Sequence, residues 1–180
     1  MRISQASRKT NETQVKIKLN LDGTGLVEIE TGVNFFDNLL KALATTAGFD
    51  LEVKVKGDLE TGDHHIVEDT AIVLGEAFSR AIEKSIDENN IGFAIVPVED
   101  SIATAAVSLD KPYFTMEFEF KGEKIEDMQT ENISHFLETF AYNARLTLHI
   151  NAKGKRDSYI ALAIFKALGI ALKGACKTIR

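Results

Sequence analysis

The chain has 180 residues, enough for one substantial domain or for two small ones that share a core. Its apolar fraction of 44% and charged fraction of 27% are ordinary for a globular protein. A net charge of −6 gives no support to nucleic-acid binding, and the single cysteine, Cys176, excludes an internal disulfide and a cysteine-type zinc site. No apolar run approaches the length of a membrane span, and the N-terminus has no apolar signal core, so we expect a cytoplasmic protein without a membrane partner.

Apolar alternation and helical periodicity predict similar elements in both halves of the chain. The first half is predicted to contain strands at residues 14–23 and 26–30, a helix at 33–48, a strand at 49–57 and a helix at 68–86. An Asp22-Gly23 turn signal favours pairing of the first two strands as a hairpin, and Gly48 is the expected C-cap of the first helix. The second half is predicted to contain strands at 102–109 and 113–122, a helix at 133–144, a strand at 145–154 and a helix at 158–175.

The repeated order of elements indicates an internal duplication and an α+β fold with two halves, residues 1–90 and 91–180. An offset of 97 residues aligns the Lys-Gly step at 56–57 with the Lys-Gly step at 153–154. Each such match is weak, and two α+β halves with chance similarity are the alternative. The shared order of strands and helices favours the duplication.

The segment GDHHIVED contains the densest set of metal-ligating side chains. The imidazoles of His64 and His65 and the carboxylate of Glu68 suit Mn, Fe or Zn. If a helix begins near Asp63, His64 and Glu68 lie one turn apart, whereas the two histidines point about 100° apart around the axis. The alternative is a polar helix N-terminus with Asp63 as the N-cap and acidic residues that complement the helix dipole. The local pattern leaves both interpretations open.

Short motifs follow a fixed order along nearly the whole chain. R-x-T-x-E-T occurs at residues 8–13 and D-H-H-x-V-E-D at residues 63–69, and they are accompanied by TGVNFFDNLL, LHI and FKALGIAL. From Arg8 to Ala175 this order resembles the imidazoleglycerol-phosphate dehydratase family of histidine biosynthesis. The resemblance implies a duplicated fold of the ribosomal protein S5 domain 2-like type, in which each half is a four-stranded sheet backed by two helices.

The resemblance also implies a two-manganese site that has eight ligands and is completed between subunits. Four of the expected ligands are present, namely His64, His65, Glu68 and His149. The other four positions carry Asn38, Asp157, Ser158 and Ala161. We therefore predict that the chain holds no manganese pair and binds at most one ion weakly, with His149 of a neighbouring subunit meeting His64 or His65.

Three other residues near the expected ligands are interpreted without a metal. Lys155 and Arg156 would repel a divalent cation, and we expect them to pair with Asp63 or Glu68 instead. His135 falls opposite the missing ligand at position 38 in the duplication, but its helix has apolar neighbours. We interpret it as a structural histidine.

Substrate contacts follow from the same resemblance. The implied reaction is a dehydration that converts imidazoleglycerol phosphate to imidazoleacetol phosphate, with bound metal stabilising negative charge on the ring. Glu12 is the candidate for acid–base work. Lys111, Lys166 and Arg8 are the candidates for binding the substrate phosphate, and the lysines lack the bidentate fork of an arginine.

The resemblance further implies a homo-oligomer that is built from trimers and reaches a 24-mer in the family. Two other function classes stay open at this stage. One is a non-catalytic relative that keeps the fold and the oligomer without the two-metal site. The other is an unrelated two-layer α+β binding module, which would require the ordered motifs to be coincidence.

Overall fold

The first sheet has a different neighbour order from the predicted one. In the computed structural model, which describes residues 1–83, 85 and 90–178, this sheet contains β1 (Ile3–Lys9), β2 (Thr13–Asn20), β3 (Val27–Glu30) and β4 (Asp50–Gly57). The strand order is β1-β2-β4-β3, and β3 runs parallel to β4. The predicted hairpin between β2 and β3 is therefore wrong, because β1 and β4 occupy both edges of β2. Asp50 accepts hydrogen bonds from the backbone N–H groups of Thr24 and Leu26, both at 2.9 Å, which hold the β2–β3 connection against β4.

The second sheet repeats the topology of the first. It contains β5 (Ile91–Val98), β6 (Ser101–Ser108), β7 (Tyr113–Glu117) and β10 (Thr147–Lys153), in the order β5-β6-β10-β7. β7 runs parallel to β10, as β3 does to β4. A short hairpin of β8 (Lys124–Ile125) and β9 (Met128–Gln129) follows β7, which ends earlier than predicted. The predicted fold class of two four-stranded sheets backed by helices is confirmed.

In the described part of the chain four helices form two pairs, and each pair joins the two halves. They are α1 (Asn34–Ala47), α2 (His64–Ile82), α3 (Thr130–Ala144) and α4 (Asp157–Ala175). α2 packs against α3, and α1 packs against α4. α1 ends at the predicted cap, where Gly48 has a φ of 73° in the left-handed region. The predicted continuation of the second helix to residue 86 lies partly outside the described residues.

Phenylalanine side chains connect the two helix pairs in the hydrophobic core. Phe36 of α1 meets Phe136 of α3 edge-on with ring centroids 5.4 Å apart, and Phe136 stacks on Phe165 of α4 at 5.5 Å. All three are fully buried, and burial of such a side chain contributes about 1.5–3 kcal/mol to the free energy of unfolding. The shared core fixes the helix starts relative to one another. The division of the chain at residues 90 and 91 adjoins the undescribed segment 86–89 and stays a prediction.

α4 has the length and apolar composition of a membrane-spanning helix. Buried core helices share both properties, and most of α4 is buried against β5, β6 and α1. We therefore interpret its apolar character as that of a core helix.

Candidate metal centre

The two most specific sequence motifs contact each other at the start of α2. Thr13 donates a hydrogen bond from its hydroxyl to the Asp69 carboxylate, and Arg8 donates from Nε to the same carboxylate at 3.1 Å. Oε2 of Glu12 lies 3.2 Å from Nδ1 of His65. Asp69 and Thr13 are buried, whereas Glu12 is 57% exposed. The turn between β1 and β2 therefore presents its glutamate beside the histidine pair.

A three-residue cluster lies on the other side of the histidine pair, between α2 and α3. Nε2 of His64 lies 3.3 Å from Oε2 of Glu68, and Nε2 of His135 lies 3.4 Å from Oε1 of the same glutamate. The rings of His64 and His135 stack with centroids 5.1 Å apart. One ligand atom from each of the three residues lies within 4.8 Å of the others. His65 points away toward Glu12, as the helix geometry predicted for adjacent histidines.

The cluster has the chemistry of a divalent transition-metal site. Two imidazole nitrogens and one carboxylate are a common donor set for Mn, Fe and Zn, and three protein ligands are the number usual in a catalytic zinc site. Nε2 of His135 is shielded from solvent and makes no hydrogen bond within the described part of the chain. Asn132 offers Oδ1 to Nδ1 of His64 at 3.1 Å, which leaves Nε2 directed at the cluster. These residues fit a metal ion.

The corresponding positions of the other helix pair do not form such a group. Asp157 takes the place of His64, but its carboxylate accepts the backbone N–H groups of Lys121 at 3.1 Å and Gly122 at 2.7 Å. Ala161 is fully buried and has no donor atom, and Asn38 is exposed on α1. The candidate ligands His64, Glu68 and His135 are therefore grouped in the α2–α3 pair, and the described residues of the α1–α4 pair form no equivalent group.

Comparison with known proteins identifies the family of this chain. The sequence model of the family described as imidazoleglycerol-phosphate dehydratase matches residues 31–172. The chain belongs to this family. It is 44% identical over 178 residues to the imidazoleglycerol-phosphate dehydratase of Methanocaldococcus jannaschii, a match that covers 98% of the chain and 89% of the relative. The enzyme of Methanothermobacter thermautotrophicus is 40% identical, with 98% of the chain and 92% of the relative covered.

Two solved structures of imidazoleglycerol-phosphate dehydratases share the fold. The Staphylococcus aureus protein superposes with a TM-score of 0.89 at 29% identity, over 98% of this chain and 99% of that one. The Pyrococcus furiosus protein, solved in complex with (S)-C348, superposes with a TM-score of 0.81 at 29% identity, over 96% of this chain and 94% of that one. The predicted family is thereby confirmed.

Three residues predicted for this family member lie away from the cluster. His149 is exposed on β10, and its ring packs at 5.8 Å against Tyr113. Lys111 lies in the turn before β7, where its carbonyl accepts a hydrogen bond from Thr147 at 2.7 Å. Lys166 lies on α4 and is half-buried. Within the described residues the structure does not bring these side chains to the cluster, and their roles stay predictions.

The expected pairing of Lys155 and Arg156 with Asp63 or Glu68 is wrong within the described chain. The backbone N–H groups of both basic residues approach Oδ1 of Asp100, at 3.4 and 3.5 Å. The Arg156 guanidinium lies over the Tyr159 ring, 5.3 Å from its centroid. The guanidinium of Arg156, at the start of α4, is therefore directed to Tyr159 rather than to His64 or Glu68.

Asp63 also differs from its expected role as an N-cap. Its side chain makes no capping hydrogen bond, and Oδ2 accepts the backbone N–H of Gln129 at 3.2 Å instead. This contact ties the start of α2 to the start of α3. It therefore helps to set the distance between the two helices that carry the cluster.

His135 is a candidate ligand that its local sequence does not indicate. Its apolar neighbours indicated a core residue, but the structure places it against Glu68 and His64. The role of His135 could have been recognised from its alignment with Asn38 in the duplication, because the family has a metal ligand at position 38. Asn132 had no signal in the sequence, because its role depends on the packing of α2 against α3.

Proposed function

We propose that this protein dehydrates imidazoleglycerol phosphate to imidazoleacetol phosphate in histidine biosynthesis, with one manganese ion held by His64, Glu68 and His135. The observation that carries the proposal is the three-donor group between α2 and α3 in a chain of this family. A bound divalent ion supplies positive charge that stabilises an anionic imidazole ring when the substrate loses a proton.

Glu12 is the proposed acid–base residue. Its carboxylate is exposed, so that a substrate can reach it. The carboxylate lies 3.2 Å from Nδ1 of His65, and this contact orients the Glu12 side chain. Arg8 is anchored through Nε to Asp69 and directs its guanidinium to the same surface, where it supports binding of the phosphate. Lys111 and Lys166 lie away from this surface within one chain, so they are proposed to complete the phosphate site from a neighbouring subunit. His149 is the proposed contribution of a neighbouring subunit.

One ion in place of a pair predicts slow turnover. Electrostatic stabilisation of the developing charge is usually the largest catalytic term, so a chain with one retained ligand group should work orders of magnitude below a two-metal relative. The test is elemental analysis of the purified protein together with a dehydratase assay in added Mn²⁺. We expect about one ion per subunit and a turnover number below the enzymatic range of about 1–10³ s⁻¹.

His135→Asn provides the decisive variant, since asparagine is the residue at the equivalent position 38. We expect it to lose both the bound ion and the residual turnover. His149→Asn tests the contribution of the neighbouring subunit, and we expect it to weaken binding of the ion without removing it. Two ions per subunit at full occupancy, or turnover within the ordinary range, would contradict the proposal.

The second candidate is a non-catalytic relative, which the residues Asp157, Ser158 and Ala161 favour. It predicts that the substrate binds with no product formed even at saturating Mn²⁺. Under either function we propose a cytoplasmic homo-oligomer built on a trimer, with the 24-mer shell weakened by the missing ligands. Light scattering that shows a monomer at micromolar concentration would contradict this assembly.

A further inference from the structure

Asn132 is a buried polar residue whose side chain, among the described residues, hydrogen-bonds to the candidate metal ligand His64. It lies on α3, one turn before His135, and is 2% exposed. Its Oδ1 lies 3.1 Å from Nδ1 of His64 on α2. We propose that Asn132 is a positioning residue that holds His64 in the tautomer able to bind a metal, an inference that rests on the metal site proposed above.

The two oxygen contacts of the His64 ring favour this assignment, because Oδ1 of Asn132 lies 3.1 Å from Nδ1 and is closer than Oε2 of Glu68, which lies 3.3 Å from Nε2. Such a ring carries one N–H and one lone pair, so an acceptor at Nδ1 places the proton there and the lone pair on Nε2. Nε2 of His64 points at the cluster, 3.3 Å from Glu68. Metal-binding histidines usually donate their second ring N–H to an oxygen acceptor, which fixes both the tautomer and the ring orientation. Asn132 supplies that oxygen.

Stability alone does not explain an amide at this position. Nδ2 of Asn132 is buried and makes no hydrogen bond among the described residues. An unpaired buried donor lowers the free energy of unfolding, and its neighbours Ile133 and Phe136 on the same helix are fully buried apolar residues. A leucine, which has the same branched shape without polar atoms, would remove this penalty.

The duplicated helix pair supports the same interpretation. The offset of 97 residues that aligns Asn38 with His135 also aligns Phe35 with Asn132. Phe35 is buried on α1, in the pair that has lost its ligands. The amide is thus present where the histidines are present, and an aromatic ring takes its place where they are absent.

The experiment compares two substitutions at position 132 with one control. Asn132→Leu should weaken Mn²⁺ binding by about 10–100-fold while the melting temperature of the metal-free protein stays the same or rises. Asn132→Asp should retain Mn²⁺ binding, because its carboxylate accepts the same hydrogen bond. Asn143→Ala is the control on the same helix, where Nδ2 donates to the Thr139 carbonyl at 2.8 Å. It should lower the melting temperature and leave Mn²⁺ affinity unchanged.

A second measurement separates this inference from the proposed function. Nitrogen-15 chemical shifts of His64 in the metal-free protein, at a pH where the ring is neutral, report the tautomer directly. We expect Nδ1–H in the unchanged protein and a shift toward Nε2–H in Asn132→Leu. If the unchanged protein bound no Mn²⁺, the proposed function would fail, and the tautomer would still decide the role of Asn132. Nε2–H in the unchanged protein, or full Mn²⁺ affinity in Asn132→Leu, would overturn the inference.

Discussion

Replacing Glu68 by glutamine should separate metal binding from folding. Its two carboxylate oxygens face Nε2 of His64 at 3.3 Å and Nε2 of His135 at 3.4 Å, so one residue joins both imidazoles of the cluster. Glutamine keeps the shape but loses the negative charge that a divalent ion requires. Its side chain is 36% exposed, so in the metal-free protein the lost contacts with the two imidazoles should cost no more than about 1 kcal/mol.

The effect on the metal-bound protein should be larger. At an Mn²⁺ concentration of 100 times the dissociation constant, binding stabilises the folded chain by about 2.7 kcal/mol. Loss of a direct ligand should weaken affinity at least as much as the roughly 100-fold limit for an indirect one. At the same Mn²⁺ concentration the stabilisation then falls to about 0.4 kcal/mol. For a chain of this length the difference corresponds to a melting temperature about 5–9 °C lower.

The assay is thermal unfolding with and without Mn²⁺ at one fixed protein concentration. Glu76→Gln is the matched control, because Glu76 lies on the same helix and pairs only with Arg80 at 4.0 Å in the described chain. The control should keep the full Mn²⁺-induced shift. If Glu68→Gln kept that shift as well, the carboxylate would not be a ligand and the proposed cluster would be wrong.

Three further outcomes follow from contacts outside the cluster. Thr13→Val removes the hydroxyl that donates to the buried Asp69 carboxylate and should cost about 1.5–3 kcal/mol in urea unfolding, whereas a cost under 0.5 kcal/mol would refute the docking of the two motifs. Asp157→Ala should speed amide hydrogen exchange in the loop before β8 without changing Mn²⁺ affinity, and unchanged exchange would refute its role as an anchor. Hydrogen bonds from Arg2 hold the pKa of Asp22 below its ordinary value, so the pair stabilises the fold above about pH 4 and loses this effect as the pH falls through the lowered pKa. Arg2→Met should therefore be less stable than the unchanged protein at neutral pH, with the difference shrinking in acid.

Most elements of the fold could be predicted because the periodic pattern of apolar residues in each one extends over many consecutive residues. Such a pattern can be recognised without knowledge of contacts elsewhere in the chain. The four helices and the strands β2, β4, β6 and β10 each bury one regular face. Two of the four edge strands of these sheets, β1 and β5, were not predicted, for different reasons. β1 buries only Ala6 among its seven residues, and β5 exposes Phe93 and Ile95 where a buried face was sought.

Strand neighbours and ligand groups could not be predicted in the same way. Alternation identifies β3 as a strand but does not determine its partner, which depends on contacts such as Asp50 with Thr24 across the chain. His64 and Glu68 were predictable because they lie one turn apart on one helix. His135 reaches them only through the packing of α3 on α2, which no local pattern contains.

The difference between the two helix pairs extends beyond the ligand residues themselves. Neighbouring groups enclose Ala161 completely, whereas Glu68 at the equivalent position keeps 36% of its side chain exposed. The Asp157 carboxylate is occupied by two loop N–H groups, and a carboxylate so engaged is a poorer metal ligand. Asn132, opposite His64, has an aromatic counterpart at position 35. The surroundings of these positions, as well as their identities, therefore support the proposal of one metal ion per chain, held by the α2–α3 pair rather than by the α1–α4 pair.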